Sequence, residues 1–242
     1  VGRHVIKLAA QNLTPVTLEL GGKCPCIVDE TANLPAAARR IAWGKFLNAG
    51  QTCVAPDYVL VQQSVKDRLV DCLKMELRRY YRPDGRLCAD YPRIVSPRHF
   101  ERLMALTAQG RLLAGGRGSA GSLRIEPTLL DQAPLSSPLM QEEIFGPLLP
   151  IVTYKKLDQA LCWLSDQPKP LAVYHFTRSP LAARRVLLGT DSGGVSFNDT
   201  VMQAAAPALP FGGVGASGQG RYHGKASFDR FSNQRALLYK PA

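Results

Sequence analysis

Short apolar runs that alternate with helix-like segments constrain this chain more than any other feature. Pro25 to Val28, Tyr58 to Val61, Leu148 to Tyr154 and Leu171 to Phe176 are nearly unbroken in apolar residues. Between them lie segments with apolar side chains at three- and four-residue spacing. These are Leu34 to Leu47, a stretch capped by Ser64 with Val65, Leu69, Leu73 and Leu77, then Pro97 to Ala108, Leu157 to Leu164, and Pro180 to Leu188. An unbroken apolar run suits a strand buried on both faces, and such strands belong to parallel sheets crossed by helices. The order predicts an α/β fold: a mostly parallel open sheet with flanking helices. Val16 to Leu20 and Val195 to Phe197 read as further strands, beside Gly21-Gly22 and Gly193-Gly194. Arg82 to Tyr91 reads as a loop. Ala114 to Ser122 reads as a glycine-rich surface turn, with no strand-to-helix crossing to make it a phosphate cradle. After Thr200 the pattern changes: Gln203 to Gly220 carries no period, and Ala236 to Tyr239 reads as a last strand.

Composition narrows the function classes. The 242 residues carry 30 Lys plus Arg against 19 Asp plus Glu, a net charge of +11. The basic doublets Arg39-Arg40, Arg78-Arg79 and Arg184-Arg185 are dispersed over separate helical segments, which favours a solvated surface over a nucleic-acid groove. A field of this sign also attracts anionic cofactors. No apolar run is long enough to span a bilayer, and no charged-then-apolar leader precedes the first strand. The six cysteines are sparse and irregularly spaced, so we read them as reduced thiols in a cytoplasmic setting. Cys24-Pro25-Cys26 lacks the spacing and the second ligand pair of a zinc site.

Four places could carry chemistry. Asn48-Ala49-Gly50-Gln51-Thr52-Cys53 puts a thiol just after a glycine turn, which suits either an activated nucleophile or a small buried side chain. No histidine among His4, His99, His175 and His223 has a protease-like context. Glu19, in the apolar run Val16 to Leu20, is either a buried base or a solvent-facing strand residue. Glu142-Glu143-Ile144-Phe145-Gly146-Pro147 offers carboxylates able to take both hydroxyls of a ribose, or a helix end with surface acids. Pro210 to Gly218 is a glycine loop able to pass close to a ligand, a neighbouring chain or its own core.

Together these motifs closely resemble the aldehyde dehydrogenase superfamily, above all its class 3 branch. The matching stretches are LTPVTLELGGK (Leu13 to Lys23), RRIAWGKFLNAGQTCVAPDY (Arg39 to Tyr58), PLMQEEIFGPLLPIV (Pro138 to Val152), KPLAVYHF (Lys169 to Phe176), SGGVSFND (Ser192 to Asp199) and LPFGGVGASGQGRYHGKASFDRFS (Leu209 to Ser232). Gly215 and the run Tyr222-His223-Gly224-Lys225 look class 3-like. Pro92 departs from a glycine common in related chains, at a point expected to lie away from the catalytic motifs.

The resemblance implies roles residue by residue. Cys53 matches the nucleophile, with its backbone N–H as half of the oxyanion hole, and Glu19 matches the general base. Glu143 and Phe145 match residues that hold the nicotinamide ribose, and Leu20 one whose backbone meets the nicotinamide amide. The resemblance further implies NAD or NADP as cofactor, an aldehyde as substrate, a homodimer, and no nucleic-acid partner. Residues 1–20 would end a cofactor-binding domain, 21–205 would form the catalytic domain, and 206–242 a bridging and oligomerising tail. The family's Trp-Asn-Tyr and Lys-Pro-Ser-Glu motifs are not in the sequence, so the chain reads as the C-terminal portion of such an enzyme. Two alternatives stand beside that reading: a non-catalytic remnant that pairs with an intact subunit, and a thiol esterase using Cys53 and Glu19 alone.

Overall fold

The structure, a computed structural model, describes residues 1–82 and 84–241. The strands are β1 (Leu18–Glu19), β2 (Pro25–Val28), β3 (Tyr58–Gln62), β4 (Arg111–Ala114), β5 (Gly118–Ser119), β6 (Arg124–Ile125), β7 (Thr128–Asp131), β8 (Leu148–Tyr154), β9 (Ala172–Phe176), β10 (Gly194–Phe197) and β11 (Gly218–Gln219). The helices are α1 (Gly2–Ala10), α2 (Leu34–Phe46), α3 (Lys66–Tyr81), α4 (Pro97–Thr107), α5 (Pro138–Gln141), α6 (Leu157–Ser165), α7 (Pro180–Gly189), α8 (Met202–Ala205) and α9 (Gly224–Phe231).

Among the described residues, seven strands form one sheet in the order β10-β9-β2-β3-β8-β7-β4. All neighbours run parallel except β4, which is antiparallel to β7. The strands predicted from unbroken apolar runs sit in this sheet with both faces covered: every residue of β2 and β9 is buried, as is every residue of β7, a strand not predicted from the sequence. Helices α2 and α3 pack on one face through Ile41, Phe46, Leu69 and Leu73. Helices α6 and α7 cover the other, where Ala160 and Val186 meet Ile27, Tyr58 and Val173. A third cluster, with Phe100, Leu103, Ile125 and Ile144, anchors α4 and the small β5–β6 hairpin.

Local chemistry sets several helix starts. Asn33 accepts from the Ala36 N–H to cap α2, Ser96 from the His99 N–H to cap α4, and Ser179 from the Ala182 N–H to cap α7; each helix carries Pro in its first turn. Ser64 does not cap α3. The chain makes a 3-10 turn over Gln63–Val65, and the helix begins at Lys66 without a side-chain cap.

Other predicted boundaries shift. The strand expected over Val16 to Leu20 contracts to Leu18–Glu19, because its partner β11 is only two residues long, pairing Leu18 with Gln219 and Glu19 with Gly218. Part of the expected turn at Ala114 to Ser122 is strand, β5 pairing with β6. Arg82 to Tyr91 is irregular as predicted, residue 83 lying outside the described residues. Ala236 to Tyr239 is not a strand: it has no strand neighbour, and Leu237, Leu238 and Tyr239 are exposed. Among the described residues no helix is long and apolar enough to cross a membrane.

Candidate active site

Three predicted site residues stand on the segments that lead into three adjacent central strands. Glu19 precedes β2, Cys53 precedes β3 and Glu143 precedes β8, and in the sheet β2, β3 and β8 are neighbours. The parallel order therefore gathers side chains that are distant in sequence at the amino ends of the strands. Most open α/β sheets bind at the opposite, carboxyl ends.

The turn that presents Cys53 is unusual backbone. Asn48, Ala49 and Gly50 all have positive φ, at 52°, 52° and 73°. A Cβ on Gly50 would strike the carbonyl of Gly146, so only glycine lets this turn approach the loop that carries Glu143 and Phe145. Gln51 fixes the turn from the other side. Its amide donates to the Arg93 carbonyl at 3.0 Å and accepts from the Val95 N–H at 2.9 Å. The segment after Pro92 thus abuts the Cys53 turn, which corrects the expectation that it lies away from the catalytic motifs.

Cys53 is half-buried, and its thiol donates to Oε1 of Glu19 at 3.5 Å. Burial, and then the Glu19 carboxylate, push the Cys53 thiol up to about 11. Its own backbone N–H faces the sulfur and opposes that rise. Glu19 itself is exposed, so of the two readings open in the sequence it is the solvent-facing strand residue. Its other oxygen accepts a hydrogen bond from the Tyr222 hydroxyl. That contact, and then burial, raise the Tyr222 phenol to about 12. Tyr222 arrives through an antiparallel bridge to Phe211, with N–H···O distances of 2.7 and 2.8 Å, so the tail beyond β10 completes the surroundings of Glu19.

Glu143 lies against the Gly21–Gly22 backbone. A Cβ on Gly21 would collide with its carboxylate, and the Gly22 N–H faces it. Burial raises the Glu143 carboxyl above its ordinary range; the Gly22 N–H, Lys23 and Lys45 pull it back. Four side chains brace the loop. Lys23 donates to the carbonyls of Leu139 and Glu142 at 3.0 and 2.7 Å, and pairs with Asp57. Asp57 accepts from the Ile144 N–H at 3.1 Å. Arg102 donates to the carbonyls of Glu143 and Ile144. His99 Nε2 donates to the Phe145 carbonyl at 2.7 Å, while its Nδ1 accepts from Arg102 at 3.4 Å, which fixes the tautomer. Phe145, with φ at 51°, keeps its ring partly exposed beside this loop. Leu20 packs over the start of α1 at Gly2, and its N–H is taken by the Ser217 carbonyl at 3.0 Å.

The structure thus brings Cys53, Glu19 and Glu143 together, with Leu20 and Phe145 at the margins. Tyr222, Lys23, Asp57, Lys45 and Arg102 were missed as site residues. Among these, Lys23, Lys45, Asp57 and Tyr222 lie within the stretches that carry the family resemblance, and Arg102 lies in none of them.

Comparison with known proteins gives this geometry its lineage. The chain matches the aldehyde dehydrogenase family over residues 1–237. It is 52% identical over 242 residues to the 4,4'-diaponeurosporen-aldehyde dehydrogenase of Staphylococcus aureus, covering 99% of this chain and 53% of that protein. It is 48% identical over 240 residues to the dimeric NADP-preferring aldehyde dehydrogenase of Rattus norvegicus, again 99% of this chain and 53% of the other. The solved structure of a substrate-bound Staphylococcus aureus AldH superposes with a TM-score of 0.96 at 50% identity, covering 100% of this chain and 53% of that one. The chain spans about half the length of the curated relatives it matches. It belongs to the aldehyde dehydrogenase family and is similar to that family's family 3 members.

Proposed function

We propose that this chain is the catalytic portion of an enzyme that oxidises an aldehyde to a carboxylic acid with NAD or NADP. The observation that carries the reading is the Cys53 thiol donating to Glu19 beside the Glu143 loop. The residues present fit the nicotinamide end of such a cofactor. Glu143 is held against the Gly21–Gly22 backbone, where a larger residue than glycine would displace it, and Phe145 keeps a partly exposed ring alongside. Glu143 and Phe145 would hold the ribose, and the Leu20 backbone would meet the amide. The chemistry that NAD or NADP supplies when bound is acceptance of a hydride, with its electron pair, from the substrate carbon.

The chain's own groups account for the rest. A thiol raised to about 11 is mostly protonated at neutral pH, so its proton leaves as the sulfur attacks, and Glu19 Oε1 is the acceptor in reach. Sulfur bonds to the carbonyl carbon and negative charge moves to oxygen, where the Cys53 N–H would donate to it. Loss of hydride leaves a thioester on Cys53. Glu19, exposed to solvent, first releases the thiol's proton to it; the carboxylate then takes a proton from water as the water oxygen attacks the thioester carbon, the C–S bond breaks, and the Cys53 sulfur departs as the acid forms.

By resemblance to class 3 enzymes, medium or long aliphatic and aromatic aldehydes are the substrate class. Residues 1–20 belong with the cofactor-binding unit, 21–205 with the catalytic unit, and 206–242 with a bridging tail. Exposed Phe228, Phe231, Leu237, Leu238 and Tyr239 support a tail that pairs two subunits. Among the described residues the six cysteines are unpaired, which supports a cytoplasmic setting. The test is Cys53→Ala: aldehyde oxidation should vanish while dinucleotide affinity persists. An active alanine variant would sink the assignment, and a chain that binds no dinucleotide in the micromolar range would instead favour a non-catalytic pairing role.

A further inference from the structure

Beneath the Cys53 turn lie two side chains that the reaction above does not use. Tyr174 on β9 and Cys24 just before β2 are both fully buried, in one apolar cluster with Val54, and Cys53 packs against that cluster. The Tyr174 hydroxyl donates to the Val54 carbonyl at 2.5 Å. The Cys24 thiol donates to the Cys53 carbonyl at 3.5 Å. The Cys24 carbonyl accepts in turn from the Asp57 N–H at 2.8 Å. Within the turn itself, the Thr52 carbonyl accepts from the Ala55 N–H at 3.0 Å. The carbonyls of Thr52, Cys53 and Val54 are therefore all taken, the last two by buried side chains that come from neighbouring strands of the sheet.

The direction of these bonds is fixed by chemistry. A carbonyl only accepts, so the hydroxyl and thiol hydrogens point at the turn. Gln203 Nε2, on α8, donates to the Tyr174 oxygen at 3.0 Å, which leaves the phenol hydrogen for Val54. Burial pushes the Tyr174 phenol and the Cys24 thiol well above their ordinary values, so both keep their protons. Packing alone does not need that hydroxyl, because phenylalanine would fill the cluster without burying a polar group. What the hydroxyl adds is an anchor on the backbone one residue after the thiol. The thiol itself has one side-chain hydrogen-bond partner among the described residues, the exposed carboxylate of Glu19. Its place is set from the backbone below.

We infer that Tyr174 and Cys24 are positioning residues for Cys53: by holding the two carbonyls at and after that residue, they fix where its thiol stands against Glu19. Cys24 orients the peptide plane that follows Cys53, and Tyr174 orients the next one. Neither touches the reacting atoms. The consequence for catalysis rests on the reading of Cys53 and Glu19 as a reacting pair, while the positioning itself is measured without aldehyde or cofactor.

The experiment is a double-mutant cycle on the 242-residue chain. Alkylation by iodoacetamide is followed at the Cys53 peptide by mass spectrometry, and denaturation confirms that each variant is folded. In the parent, Glu19→Gln should change the rate at pH 8 about tenfold, the effect of roughly one pKa unit. In the Tyr174→Phe background the same change should have an effect of about threefold or less, because coupling is lost when the thiol no longer stands against the carboxylate. A tyrosine that serves stability alone would leave the Glu19→Gln effect at full size in the folded molecules, and that result overturns the inference. So does a Glu19→Gln change without effect in either background. Should Tyr174→Phe not fold, Cys24→Ala removes the neighbouring donor and is read the same way, with Cys24→Ser, which keeps a donor, restoring the response. The catalytic reading fails separately, if Cys53→Ala still oxidises aldehyde.

Discussion

Oε1 of Glu19 lies 3.5 Å from the Cys53 sulfur, so the group that would accept the thiol's proton also helps to keep it in place. Burial is the larger cause of the thiol's rise to about 11, and the Glu19 carboxylate is the next. Glu19→Gln removes the charge and keeps the shape. More of Cys53 is then thiolate at pH 8, and alkylation by iodoacetamide should accelerate about tenfold, the effect of roughly one pKa unit. The rate-against-pH profile of the two proteins measures it. An unchanged alkylation would mean that Glu19 does not govern the thiol, and a slower one that its service as proton acceptor outweighs the charge it sets against the thiolate.

The same variant separates the two roles of Glu19. With aldehyde and dinucleotide present, a faster nucleophile followed by a slow hydrolysis gives a burst of about one reduced cofactor per site and then a stall. Rapid-mixing absorbance reads both phases. Steady turnover at the parent rate would exclude Glu19 as the base that activates water.

Tyr222 restrains Glu19 from the far side, its hydroxyl donating to the second carboxylate oxygen. A hydrogen bond to a charged group contributes about 1.5–3 kcal/mol net, which corresponds to roughly 10- to 100-fold in a rate that depends on it. Tyr222→Phe should therefore lower kcat in that range while leaving KM for the dinucleotide unchanged, because Glu143 and Phe145 are untouched. A rise in KM with kcat intact would assign Tyr222 to binding instead.

The sheet was legible because its central strands are buried on both faces, and β2, β3, β8 and β9 announce themselves as unbroken apolar runs. The turn before Cys53 was legible because a glycine there has a mechanical purpose. The pairings were not legible from local pattern. Glu19 and Cys53 are 34 residues apart, and Glu19 and Tyr222 are 203 apart, so only the strand order and the β1–β11 pairing bring them together. Ala236 to Tyr239 failed for the converse reason: an apolar run needs a strand neighbour before it becomes a strand. Lys45 reads as the polar face of an amphipathic helix until the structure shows it buried.

Gly50 offers a test of how tightly the two site loops are locked. Its φ of 73° and the Gly146 carbonyl beside it leave no room for a side chain. Gly50→Ala should cost about 1–3 kcal/mol of stability from backbone strain, with more from the displaced loop. Chemical denaturation gives the figure, and a neutral substitution would show that the turn relaxes freely.

At the carboxyl ends of β2 and β9, Asp29 accepts from His175 Nε2 at 3.2 Å and from the Thr31 N–H and hydroxyl at 2.8 and 2.6 Å. Burial alone would raise the Asp29 carboxyl, but the hydrogen bonds from His175, Thr177 and Thr31 outweigh it and hold it at about 2. A carboxyl depressed in the folded state stabilises the fold above its unfolded value, near 3.9, and the contribution is lost as pH falls toward the folded value. The window is therefore about pH 4 down to pH 2, and the amount is about 2 kcal/mol or less after allowance for solvent. Asp29→Asn should destabilise the chain at pH 7 and lose much of that penalty at pH 3, where the parent has begun to protonate. Urea midpoints at the two pH values decide the matter. An equal penalty at both would mean that shape, not charge, holds this end of the sheet together.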